Sequence, residues 1–136
     1  MHISDLKAVF CPEKVALSAI GGCIAGRFCR ISPLHGAIYA VVSGVVNLAT
    51  FWTGMNIVCD LENRFPELKR LGGTNVIALL STTSVFLAFT AGNKALSLIG
   101  KPLIFSTAVK VCLISEMIGL SSRLFMNVCE SRKNIH

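Results

Sequence analysis

Acidic side chains are scarce in this chain. Seven Asp and Glu stand against thirteen Lys and Arg in 136 residues, and only 15% of positions carry a charge. Soluble domains average roughly 25%. A small domain has much surface for its volume and needs polar side chains to cover it. With 53% hydrophobic residues and a mean hydropathy of +0.67, that cover is missing unless lipid takes the place of water.

Other shortages exclude other functions. The chain has one Trp and one Tyr, and no basic stripe interleaved with aromatic residues, so the net charge of +6 does not indicate a nucleic-acid partner. Its six cysteines contain no Cys-x-x-Cys pair and no zinc-like Cys/His cluster. Cys11, Cys29, Cys59 and Cys129 lie near segment ends, where acylation is chemically feasible, but cysteine is more often a small buried hydrophobe. Gly-x-Ser-x-Gly, P-loop and dinucleotide fingerprints are absent, and His2, His35 and His136 are scattered. The sequence therefore predicts no enzyme, no cofactor and no metal. Ile20-Gly21-Gly22-Cys23 faintly resembles a lipoprotein cleavage box, but only six residues, Val15 to Ile20, separate Lys14 from its glycines, too few for a signal core.

What the chain does have is long uncharged runs. Ile31 to Cys59 is 29 residues without Lys, Arg, Asp or Glu, and Leu71 to Asn93 is 23 more. A hydrocarbon core of ~30 Å needs about 20 helical residues, so each run is long enough to span. The predicted fold is all-α: a single membrane domain over residues 1–136, a small multi-pass bundle of about four hydrophobic helices at about 15–29, 34–59, 74–93 and 103–125.

Segment one starts at Pro12 and Glu13, because proline at the first helical position loses only a donor that is orphaned there anyway. Only 12 residues separate Lys14 from Arg27, ~18 Å of helix, which is short for a span. Snorkelling lysine and arginine stems can extend it, and a re-entrant or tilted helix is the other reading. Ser32-Pro33 predicts an N-cap and a new start, Pro66 and Gly72-Gly73 break the middle, and Lys94 to Lys101 forms a second connector. Residues 2–10 place Ile3, Leu6 and Phe10 on one face of a short interfacial helix.

Segment four is the marginal one. Its nine Leu, Ile, Val and Phe residues between 102 and 122 supply about −3 to −5 kcal/mol for insertion, against about 5 to 7 kcal/mol for Lys110 and Glu116. These two form a candidate intramembrane polar site with Arg123. Intramembrane charges usually face a protein interior or an aqueous cavity. Six residues of separation put Lys110 and Glu116 ~120° apart, whereas Glu116 shares a face with Cys112, Arg123 and Asn127. A solvated polar face on an interfacial helix is the plainer reading.

Small residues recur at four-residue spacing. Ser18, Gly22 and Gly26 line one face of segment one, and Gly36, Ala40 and Gly44 line one face of segment two. Such faces let helix backbones approach closely in lipid. The expected arrangement is an antiparallel hairpin, with its faces meeting each other or a second subunit.

Two function classes follow. One is a non-enzymatic scaffold or interaction protein of the bilayer, alone, as a homo-oligomer or with a membrane-protein partner; paired hydrophobic hairpins also occur in membrane-inserted effectors, a fold-level analogy only. The other is a small transporter or pore component using Lys110 and Glu116. A soluble helical protein that buries the same faces in a partner is the remaining alternative. Loop cations number eight on the side of the termini and four on the other, which predicts cytoplasmic termini.

Overall fold

The computed structural model describes residues 11–133; the interfacial helix expected over 2–10 lies outside the described residues. Four helices follow in order: α1 (Pro12–Phe28), α2 (Pro33–Arg64), α3 (Gly73–Leu98) and α4 (Phe105–Lys133), with a 3₁₀ turn at Pro66–Leu71. No strand occurs among the described residues. The three longer helices are long and apolar enough to cross a membrane.

Pro12 and Pro33 each open their helix at its first turn. Ser32 takes the N-cap position as expected, but its hydroxyl makes no capping bond; its carbonyl receives Gly36 N–H at 3.0 Å. All three long helices run past the apolar windows that announced them. α2 continues through Asp60-Leu61-Glu62-Asn63 to Arg64, and α3 continues through Asn93-Lys94 to Leu98. A charged residue ends a hydrocarbon run without ending a helix. Backbone geometry does that. Pro66 stops α2, since the residue before proline is driven out of the helical region and Phe65 sits at ψ 85°.

The two short connectors close alike. After α1, Arg30 N–H reaches the Arg27 carbonyl at 3.2 Å and Ile31 N–H reaches Gly26 at 2.9 Å. After α3, Gly100 N–H reaches Ser97 at 3.0 Å and Lys101 N–H reaches Leu96 at 2.9 Å. Both are Schellman closures, which need a left-handed residue at the turn. Gly100 supplies one at φ 73°, but the first falls to Arg30 at φ 58°. Asn93 then ties the second connector down, its side-chain oxygen accepting Leu103 N–H at 2.9 Å.

α1 packs against α2, α2 against α3, and α4 mainly against α1. The core lies at the connector end, where Ala25, Tyr39, Leu96, Ala108 and Val111 bring all four helices together. Tyr39 meets Phe89 edge-on at 6.3 Å, and Phe89 meets Phe105 at 5.2 Å. Elsewhere the large apolar side chains point outward, among them Trp52, Phe86, Leu120 and Phe125.

Exposed hydroxyls on these outer surfaces are satisfied within their own helix. Thr82, Thr83 and Thr90 donate to the carbonyls four residues back, at 2.8, 2.9 and 2.9 Å. Ser121 does the same to Met117 at 2.8 Å. A helix surface of this kind carries few unmet polar groups into an apolar medium.

Candidate functional site

The site begins with the small-residue faces, which meet each other. Gly22 and Gly36 lie backbone to backbone: a Cβ on Gly22 would overlap the Gly36 carbonyl oxygen and stand 2.6 Å from Ala40 Cβ. Gly26 faces Pro33 and Gly36, and Gly44 faces the Ser18 hydroxyl at 3.4 Å. Ser18, Gly22, Gly26, Gly36, Ala40 and Gly44 thus form one antiparallel seam between α1 and α2, with Gly22, Gly26, Gly36 and Ala40 buried. That seam pairs these small-residue faces of α1 and α2 within the molecule.

α3 carries a second seam of the same spacing. Ser84, Ala88, Gly92 and Leu96 are its buried residues, and a Cβ on Gly92 would stand 2.8 Å from the Tyr39 ring. The four-residue period was present in the sequence, obscured by neighbouring Thr and Ser residues.

The seam also fixes where α1 starts. Ser18 sits beside Gly44, so Lys14 comes level with Asn47 and Leu48, near the middle of α2. α2 then continues for 16 residues to Arg64, ~24 Å beyond that level. With 17 residues, ~25 Å, α1 is too short to cross a bilayer by itself.

Where α1 begins, a cleft of about 230 Å³ opens between α1, α2 and α4. Lys14 and Ser18 line it from α1, Ser43 and Asn47 from α2, and Cys112, Ser115, Glu116 and Arg123 from α4. α4 turns this polar stripe toward the cleft while Leu113, Met117, Leu120 and Leu124 face outward. Cys112 connects the cleft to the core, lining the one and packing against the cluster that contains Tyr39. The Tyr39 hydroxyl has no hydrogen-bond partner among the described residues.

The predicted polar trio is therefore divided. Glu116 and Arg123 line the open cleft and Lys110 does not, though all three side chains are exposed. Lys110 lies instead near the connector end, in the second turn of α4. Lys14, Ser43 and Asn47 complete the cleft and were not singled out from sequence, because only the seam register brings them to Glu116.

This placement also alters the charge tally. Lys14 and Arg123 leave the loops for the cleft and Lys110 joins the connector side, which among the described residues leaves five cations at each end.

The arrangement offers two cations, a carboxylate and several hydroxyl or amide groups around a small open space. It can hold water or a small polar group. Among the described residues no three His, Cys, Asp or Glu side chains converge as a metal site. Comparison with protein-family models, curated proteins and solved structures finds no match to this chain.

Proposed function

We propose that the chain is a small multi-pass integral membrane protein that acts without catalysis, as a scaffold or interaction protein held in the bilayer by α2, α3 and α4. The observation that carries this reading is the outward display of large apolar side chains on three helices of spanning length. Water penalises each such surface at about 25 cal/mol per Å², whereas lipid does not. The hydroxyls bonded back into their own helices support the same reading. Both small-residue seams are used inside the molecule, so a protein partner or second copy would meet large apolar side chains of α3 or α4.

Alkaline carbonate extraction of membranes tests the reading. The protein is expected to stay in the pellet. Release into the supernatant would refute membrane spanning and favour a soluble helical protein.

The cleft favours a second reading, a conduit component for a small polar solute or proton. It draws on Lys14, Glu116 and Arg123, whereas Lys110 stands outside it. Ion or proton flux into liposomes that Glu116→Gln abolishes would establish this reading over the first. Absence of flux in the wild type would remove it.

A further inference from the structure

The connector end of the molecule gathers cations without counter-charges. Arg27 and Arg30 come from the end of α1, Lys94 and Lys101 from the end of α3, and all four are exposed. Lys110, in the second turn of α4, can reach the same level by snorkelling. No Asp or Glu occurs between Glu13 and Asp60 or between Glu67 and Glu116, so among the described residues this end has no carboxylate. At the opposite end, Arg64, Lys69 and Arg70 are interleaved with Asp60, Glu62 and Glu67. The two connectors border a shallow open recess of about 360 Å³ lined by Ile31, Ser32, His35, Lys101, Pro102 and Leu103.

Two independent observations bear on what this end meets. Interleaved with the cations at this end are outward apolar side chains: Phe28, Leu98, Ile104 and Phe105 are 75%, 78%, 76% and 71% exposed. Cations interleaved with exposed apolar side chains fit the headgroup boundary of a bilayer, where phosphates meet acyl chains. The second observation is Arg30 itself. It holds a left-handed backbone position at φ 58°, where the sister connector uses Gly100. Left-handed geometry disfavours any residue with a Cβ. Arginine there sacrifices backbone comfort and keeps a charge.

We infer that the connector end is a binding surface for anionic phospholipid headgroups, formed by Arg27, Arg30, Lys94 and Lys101 with Lys110 reaching up from α4. The inference rests on the membrane reading proposed above, and its test separates the two.

The full chain is reconstituted into phosphatidylcholine vesicles with and without phosphatidylglycerol. Failure to float with pure phosphatidylcholine vesicles defeats the membrane reading itself. For protein that does float, native mass spectrometry from mixed lipid reports the ratio of phosphatidylglycerol to phosphatidylcholine retained. The expected ratio exceeds that of the bulk lipid. It should fall by up to about fivefold per neutralised cation in variants built from Arg27→Gln, Lys94→Gln and Lys101→Gln. Arg64→Gln with Lys69→Gln and Arg70→Gln, the matched loss at the other end, should leave the ratio unchanged. Arg30→Gly should raise stability while lowering anionic lipid retention, a divergence that a purely structural arginine would not produce. Equal loss from both ends, or a wild-type ratio matching the bulk, overturns the inference; the latter is the result expected if this end instead serves an acidic protein partner. Free inorganic phosphate is expected not to compete; displacement by phosphate at millimolar concentration would also overturn it, by assigning the site to a soluble anion.

Discussion

Gly22→Ala probes the first seam most sharply. A methyl group at this position would overlap the Gly36 carbonyl oxygen and stand 2.6 Å from Ala40 Cβ and 2.8 Å from Ala37 Cα. Carbon atoms pack best at about 3.5–4.0 Å, so α1 and α2 must separate by about an ångström along the seam. Forced overpacking costs about 1–3 kcal/mol. Alanine also improves helix propensity by up to about 1 kcal/mol, which opposes the clash. Gly119→Ala removes that ambiguity, because a Cβ at Gly119 has nothing within 4 Å and gains only the propensity. Gly44→Ala is intermediate, meeting only the Ser18 hydroxyl at 3.4 Å. The measured quantity is reversible unfolding in mixed micelles as dodecyl sulfate is raised, followed by far-ultraviolet circular dichroism. Relative to Gly119→Ala, the unfolding constant of Gly22→Ala should rise about 5- to 150-fold, with Gly44→Ala close to the reference. Equal constants for Gly22→Ala and Gly119→Ala would refute the close-contact seam.

Other expectations are read from single substitutions or labels. Tyr39→Phe removes a buried hydroxyl that has no partner among the described residues, and should stabilise by about 1 kcal/mol in the same micelle assay; destabilisation would reveal a partner for that hydroxyl. Arg30→Gly should stabilise by about 1–2 kcal/mol by relieving the left-handed backbone, and a loss of stability would assign Arg30 a structural contact. Cys59 and Cys129 are exposed whereas Cys23 and Cys112 are half-buried, so a maleimide in detergent should modify the first two faster; uniform rates would contradict the packing. A reporter fused at His136 should lie on the opposite face of the membrane from one inserted in the 99–104 connector, since α4 joins the two, and same-face placement would overturn the topology.

The sequence made the helices legible and left their ends hidden. Uncharged runs located α2 and α3, and Pro12 and Pro33 marked two starts within a residue. The ends escaped because charge ends a hydrophobic window, while helices stop only where the backbone turns. The first such turn falls on Arg30, a residue type that carries no turn signal. Spacing alone identified Ser18, Gly22, Gly36 and Ala40 as a packing face, but not which surface would meet it. The cleft was legible only on one wall: the α4 stripe of Cys112, Glu116 and Arg123. Its other walls depend on α1 starting midway along α2, a tertiary offset that no local pattern encodes.

The dependence of α4 on α1 has a consequence for synthesis. Gly21 and Ser115 are packing neighbours, a Cβ on the glycine lying 3.2 Å from the Ser115 hydroxyl, yet 94 residues separate them in the chain. α2 and α3 can pair as soon as both have emerged, since their contact is between consecutive helices. α4, the least favourable helix to insert, must then find a surface on the first helix made. A nascent chain lacking that helix would leave Glu116 and Arg123 without the cleft wall that Lys14 and Ser18 supply. On the membrane reading proposed above, residence of the last segment in the bilayer is conditional on the first, and ribosome-bound intermediates should show α4 held outside the membrane whenever α1 is deleted.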